Sequence, residues 1–133
     1  MRAEKKPRRV EKRTILLIRD GERILLQKRP KKGLLAGLYE FPGETGFLKE
    51  KEALSVVEAM GFTPLHIEPA PKAKHLFSHV EWEMMGYLIR TAEMETAPEG
   101  KLLVELSQAG REFAIPSALR AYAEFLGIKR GNR

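Results

Sequence analysis

Two short apolar runs near the start of the chain are separated by a turn. They cover residues 14–19 and 24–28, and Asp20-Gly21 lies between them. Apolar and β-branched residues on either side of a glycine turn are typical of a β-hairpin. A third short strand is expected over residues 38–41, because Pro42-Gly43 then interrupts the extended pattern.

Helical spacing appears in two later segments. In the first, residues 49–60, four apolar positions share one face: Ala53, Leu54, Val57 and Met60. Gly61 follows where a C′ glycine ends a helix. In the second, residues 116–126, three positions share a face: Leu119, Tyr122 and Leu126. Pro116 fits the first turn, since the amide hydrogen that it lacks has no partner inside a helix.

Residues 80–90 show the two-residue alternation of a long strand. A last strand is expected over residues 102–106, whereas residues 64–74 contain three prolines and are expected to be irregular. Four large residues are assigned to the core: Trp82, Met84, Tyr39 and Phe41. The order of elements predicts an α/β (α+β) sandwich, in which a mixed sheet is flanked by helices.

The net charge of +6 is concentrated at the two ends of the chain. Residues 1–13 hold seven basic and two acidic side chains and residues 129–133 hold three basic ones, whereas residues 14–128 hold 14 basic and 16 acidic. We interpret residues 1–13 as a basic linker or disordered arm, 14–128 as one folded domain and 129–133 as a basic tail. Basic ends suit a polyanionic partner, because neutralised phosphates release counterions; a solvated, solubilising tail is the alternative.

Several classes of protein are disfavoured by composition. With no cysteine the chain has no disulfide framework, thiolate metal site or cysteine nucleophile, which fits a reducing cytoplasm. No apolar run approaches the roughly 18 residues of a membrane span. The basic first residues also lack the apolar region of a secretory signal.

Three segments are informative when taken together: ILLQKRPKKGLLAGLYEFP at 24–42, HLFSHVEW at 75–82 and FAIPSALRAY at 113–122. In this order and at this spacing they resemble the C-terminal domain of MutY-type adenine DNA glycosylases. The resemblance extends over about residues 15–126. It implies a Nudix-like fold and a DNA-repair role in a cytoplasmic, nucleoid-associated protein. The domain would read 8-oxoguanine opposite adenine in double-stranded DNA, while a separate N-terminal catalytic domain excises the adenine.

The resemblance assigns no catalytic residue and no cofactor to this chain. In the family a catalytic Glu and Asp and a four-iron–four-sulfur cluster belong to the N-terminal domain, and a chain without cysteine cannot bind that cluster. We therefore expect this chain to be a piece of a longer protein. Two alternatives stay open: a divergent Nudix hydrolase of oxidised nucleotides, and a protein-interaction module without catalysis.

The hydrolase alternative requires the pattern G-x5-E-x7-R-E-U-x-E-E-x-G-U, whose carboxylates hold Mg²⁺. Aligning its last G-U with Gly61-Phe62 places the seven other fixed positions at Glu40, Gly46, Leu54, Ser55, Val56, Glu58 and Ala59. Only Glu58 keeps a carboxylate of the metal cluster. We therefore expect the Nudix metal site to be inactive.

The resemblance implies that Phe77, Ser78 and His79 form the loop that reads the lesion. Oxidation turns N7 of guanine from an acceptor into a donor and adds a carbonyl at C8, so polar groups can distinguish the two bases. The structural alternative is that Ser78 caps a turn, that His79 bonds to backbone and that Phe77 packs inward.

Five basic residues are candidates for phosphate contacts: Arg29, Lys31, Lys32, Lys72 and Lys74. A solvated, lysine-rich loop is the alternative interpretation. His75 and His79 have the four-residue spacing of some metal pairs, but no third ligand is evident and no metal is expected. Glu81 and Glu83 are expected to be solvated on one sheet face.

Overall fold

The computed structural model describes residues 9–128, which form one seven-stranded sheet with helices on both faces. The strands are β1 (Arg9–Asp20), β2 (Arg23–Lys28), β3 (Tyr39–Glu40), β4 (Gly43–Thr45), β5 (Pro64–Leu76), β6 (Val80–Thr91) and β7 (Lys101–Glu105). The helices are α1 (Glu50–Ala59), α2 (Leu106–Glu112), a 3₁₀ turn (Ser117–Leu119) and α3 (Arg120–Phe125).

The sheet is mixed. Its order is β3-β2-β1-β6-β5, with β4 also paired to β1 and β7 also paired to β2. The central strands β1 and β6 run parallel, with Arg9–Arg19 opposite Val80–Arg90, and the other pairings are antiparallel. Among the strands of residues 9–128, β5 pairs only with β6 and therefore forms one edge of the sheet.

The central strands are buried on both faces. Along β1, Ile15 and Leu17 point to a core that includes Tyr122 of α3, whereas Leu16 and Ile18 point to a second core under α1. Alternate residues of a strand point to opposite faces, so a run of four apolar residues supplies both cores. This arrangement confirms the expected sandwich.

Gly86 shows how closely the central strands approach. A Cβ placed there would lie 2.7 Å from the carbonyl oxygen of Ile15 and 3.1 Å from the ring of Tyr122. Glycine therefore permits the close packing of β6 against β1 and α3.

Both helical segments are confirmed. Helix α1 begins at Glu50 and ends at Ala59, with Met60 as its C-cap. Gly61 follows at the C′ position, and its φ of +95° is the left-handed conformation expected there. The second segment is divided into the 3₁₀ turn and α3, and Pro116 occupies the position before the turn. None of the helices within residues 9–128 is long and apolar enough to cross a membrane.

Four details of the expected element pattern are wrong. Residues 64–74 were expected to be irregular but form most of β5, because an edge strand tolerates prolines. The pairing of β5 with β6 shifts register between Pro64 and His66 and between Ala70 and Ala73. Helix α2 follows β7 without a loop, and the short β4 was not expected.

Strand β1 also begins at Arg9 rather than after residue 13, because β6 supplies backbone partners for residues without an apolar pattern. The rest of the expected arm, residues 1–8, and the expected tail, residues 129–133, lie outside the described residues.

Candidate nucleic-acid interface

Residues 77–79 form the turn between β5 and β6, as the sequence predicts. The Phe77 amide donates to the carbonyl of Val80 at 2.7 Å, and the carbonyl of His79 accepts from the Arg9 amide at 3.2 Å. The side chains of Ser78 and His79 are exposed and make no hydrogen bond with the part of the chain that the structure describes. Backbone contacts therefore order the turn, while two polar side chains face solvent.

Phe77 packs inward, as the structural alternative predicts. Its ring lies edge-on to Trp82 with 5.0 Å between centroids, and His75 contacts it at 4.6 Å. The phenyl ring thus anchors the turn to the sheet. His75 is partly buried on β5 beside this ring, whereas His79 is exposed at the tip.

The buried side chain of Trp82 lies beneath the turn and contacts charged residues as well as Phe77. It is 1% exposed, and its indole nitrogen donates to a carboxylate oxygen of Glu11 at 3.1 Å. The guanidinium carbons of Arg13 and Arg29 lie 4.6 Å and 5.3 Å from the ring centroid. Both distances are within the range of a cation–π interaction. The expected core position of Trp82 is confirmed, as are those of Met84 and Phe41.

Arg29 is engaged inside the protein. Its Nη1 donates to Glu40 at 2.7 Å, and its Nε donates to the Leu34 carbonyl at 3.0 Å. Glu40 also accepts from Gln27 at 2.7 Å. The Arg29 and Glu40 side chains are only 12% and 9% exposed. Their charges compensate one another in a poorly solvated place.

The lysine candidates lie at the surface. Lys31 and Lys32 lie in the loop between β2 and β3, and Lys72 lies on β5; all three are exposed. Lys74, also on β5, lies 3.4 Å from Glu81. The glutamates Glu81 and Glu83 are partly buried rather than solvated as expected.

Tyr39 is partly buried rather than fully enclosed. It packs edge-on against Phe113 at 4.9 Å, while Lys28 lies 5.8 Å from the tyrosine ring. Its amide donates to the carbonyl of Ala114 at 3.0 Å. Tyr39 therefore joins β3 to the segment after α2.

The expected alignment with the Nudix pattern falls on α1. In that alignment Leu54, Ser55, Glu58 and Ala59 stand at the R-E and E-E positions, and all four lie on or at the end of this helix. Across residues 9–128, no three His, Asp or Glu side chains are grouped so that they could hold a metal ion.

Four polar residues that contact Trp82 or belong to the Arg29 hydrogen-bond network were not predicted as parts of this region: Glu11, Arg13, Gln27 and Glu40. Glu11 and Arg13 belong to the segment interpreted as an arm. A signal for Gln27 and Glu40 was present in the sequence, since both flank apolar strand residues in the segment that carries the family resemblance. Their partners became evident only from strand pairing.

Comparisons with known proteins agree with this architecture. The C-terminal domain of mouse MUTYH, solved in complex with human PCNA, superimposes with a TM-score of 0.59 at 22% identity, over 92% of this chain and 94% of that one. A MutT Nudix hydrolase from Burkholderia pseudomallei gives 0.64 at 19% identity, over 90% and 98%. The E. coli ORF135 protein gives 0.60 at 18% identity, over 91% and 89%.

These identities establish a shared fold and leave the activity open. The family model of the NUDIX domain matches residues 14–124, which run from within β1 to within α3. The match covers most of the chain, including β2 to β7, most of the core residues and the turn at residues 77–79. The chain therefore belongs to the NUDIX domain family.

Proposed function

We propose that this domain recognises DNA in which 8-oxoguanine is paired with adenine, and that it serves a separate catalytic domain that excises the adenine. The observation that carries the proposal is the turn between β5 and β6. There Phe77 is anchored on Trp82, while Ser78 and His79 face solvent. A rigid base beneath exposed polar side chains suits recognition, because little freedom is lost on binding.

The chemistry of the turn matches the lesion. 8-Oxoguanine carries a donor at N7 where guanine has an acceptor, and it carries an extra carbonyl at C8. The hydroxyl of Ser78 can accept from the new donor, and a histidine N–H can donate to the new carbonyl. One good base-edge contact discriminates by about 1–3 kcal/mol.

The exposed lysines supply the part of binding that does not depend on base identity. Lys31, Lys32 and Lys72 are exposed, and Lys74 retains solvent access beside Glu81. In this proposal they contact phosphates and position the duplex. Arg29 is omitted from this set, because its guanidinium is bonded to Glu40 and Leu34.

The hydrolase alternative has weaker support. Leu54, Ser55 and Ala59 cannot replace the carboxylates and guanidinium of an active Nudix helix, and Glu58 alone cannot hold Mg²⁺ on a triphosphate. The protein-interaction alternative draws on the MUTYH domain, which was solved with PCNA. Neither alternative requires a preference for damaged DNA.

The decisive experiment measures affinity of the full chain for two duplexes that differ in one base. One contains 8-oxoguanine opposite adenine and the other contains guanine opposite adenine; fluorescence anisotropy is followed across a salt series. We expect the damaged duplex to be preferred by about 5- to 150-fold, and both affinities to fall steeply with salt. Equal affinities would contradict lesion reading, and weak, salt-independent binding would favour the protein-interaction alternative.

A further inference from the structure

We infer that Arg29 is a positioning residue that couples the loop over residues 30–38 to the turn over residues 77–79, so that they form one DNA-facing surface. This inference rests on the proposed function. It assigns to Arg29 a part in lesion preference without any contact to DNA. It also separates Arg29 from the lysines of the same loop.

The first part of the coupling is a pair of hydrogen bonds from Arg29 to its own loop and to the strand that follows it. Nε donates to the carbonyl of Leu34 at 3.0 Å, in the middle of the segment that carries Lys31 and Lys32. Nη1 donates to Glu40 at 2.7 Å, on the strand at which the loop ends. A single planar group thus holds the middle and the far end of the loop.

The second part of the coupling connects Arg29 to the turn through the ring of Trp82. Its guanidinium carbon lies 5.3 Å from the ring centroid of Trp82, and that ring contacts Phe77 at 5.0 Å. Phe77 directly precedes Ser78. One aromatic side chain therefore connects the guanidinium to the residues proposed to read the lesion.

The arrangement requires arginine rather than a general cation. A guanidinium can lie over an aromatic face and still donate in its own plane to two acceptors, whereas an ammonium is a compact point charge. Glu40 is itself buried, so the positive charge is neutralised where it stands. Such a group has little charge left to attract phosphate.

This geometry predicts a specific pattern for Arg29→Lys. The substitution keeps a positive charge near Glu40 but cannot hold Leu34, Glu40 and the Trp82 ring together. We expect the preference of the full chain for the damaged duplex to fall by about 3- to 20-fold. We expect the salt slope of binding to stay unchanged, whereas removal of a phosphate-binding cation would reduce it by about 0.9.

Arg23→Lys is the matched control. Arg23 also pairs with a carboxylate, Asp20, and also donates to a loop carbonyl, that of Met94. Asp20 and Met94 lie at or beyond the C-terminal ends of β1 and β6, whereas residues 77–79 precede the N-terminal end of β6. We expect Arg23→Lys to lower thermal stability by about as much as Arg29→Lys does. It should leave both lesion preference and salt slope as in the unmodified chain.

A measurement without DNA tests the coupling by itself. The Phe77 amide is hydrogen-bonded to Val80, so its hydrogen exchange reports how well the turn is held. We expect Arg29→Lys to accelerate exchange of this amide by about tenfold, while amides in the central strands keep their rates. Arg23→Lys should leave the Phe77 amide unchanged.

A double variant, Arg29→Met with Glu40→Gln, guards against unfolding, because it removes both members of the buried pair and leaves no unpaired charge. It should repeat the results of Arg29→Lys.

Unchanged Phe77 exchange in both variants would overturn the inference, whatever the DNA results. A reduced salt slope with unchanged lesion preference would overturn it in favour of a phosphate contact. If the unmodified chain shows no lesion preference while Phe77 exchange responds, the coupling stands and the proposed function fails.

Discussion

The indole nitrogen of Trp82 donates a hydrogen bond to Glu11, 71 residues earlier in the chain, at 3.1 Å. This contact joins the first half of β1 to the first half of β6, where the two strands run parallel. It holds the buried ring on which Phe77 rests. The turn at residues 77–79 is therefore supported by a residue that is distant in sequence but lies opposite Trp82 in the sheet.

Trp82→Phe should destabilise the domain by about 1–3 kcal/mol. The substitution keeps an aromatic ring but removes the donor to a charged acceptor, and it leaves space in a closely packed region. Urea unfolding measures the effect, and the slope with denaturant should remain constant. Glu11→Gln retains an acceptor and is the control. A larger loss in that variant would mean that the charge of Glu11, which also pairs with Arg9, contributes more than its hydrogen bond with the indole.

Ser78→Ala combined with His79→Ala should reduce the preference for the 8-oxoguanine duplex by about 5- to 150-fold, the range for one base-edge contact. The affinity ratio of the two duplexes measures it. Ser107→Ala with His66→Ala changes the same residue types at exposed places on α2 and near the start of β5. If the first variant stays folded and keeps the ratio of the unmodified chain, the turn is structural only.

Lys31→Gln with Lys32→Gln should weaken binding to both duplexes equally. Phosphate contacts position the duplex without reading bases, so the salt slope should fall by about 0.9 for each phosphate that is no longer neutralised. Lys49→Gln with Lys51→Gln, near the start of α1, is the matched control. A change in lesion preference, rather than in slope, would contradict this assignment.

The chain should not hydrolyse 8-oxo-dGTP in the presence of Mg²⁺. Three of the four R-E and E-E positions on α1 carry Leu54, Ser55 and Ala59 instead of the residues of an active Nudix helix. Release of pyrophosphate, compared with a boiled sample and an active Nudix hydrolase, measures the reaction. Turnover clearly above that of the boiled sample would contradict this prediction and support the hydrolase alternative.

Stability should decline in acid partly through Asp20. Burial raises the pKa of its carboxyl, but hydrogen bonds from Arg23 and from the Met94 amide outweigh that effect, and the pKa is lowered overall. The unfolded state then binds this proton more readily, so the contribution is present above the unfolded-state pKa of about 4 and is lost as the pH falls through the lower folded-state pKa. Urea midpoints of the unmodified chain and of Asp20→Asn should converge as the pH falls below about 4. A constant difference would show that Asp20 does not titrate in this way.

Much of the fold could be predicted from local patterns. Helix α1 follows from the spacing of Ala53 and Val57 and from Gly61, because a helical stripe and its C′ glycine are encoded within a few turns. The hairpin of β1 and β2 follows from two apolar runs around Gly21, whose φ of +52° suits a tight turn. The turn over residues 77–79 also follows from its neighbours along the chain.

Residue type and local spacing were enough to define these elements, and the family resemblance supplied the pattern that showed the loss of carboxylates along α1. They were not enough to show that the proline-rich β5 is a strand, since it is its pairing with β6, rather than its own residue pattern, that makes it one. Nor could they show that Arg29 faces Trp82 and Glu40 instead of solvent. A charged residue in a loop-like segment has no periodicity that reports its burial. Its partner becomes known only when strands distant in sequence pair.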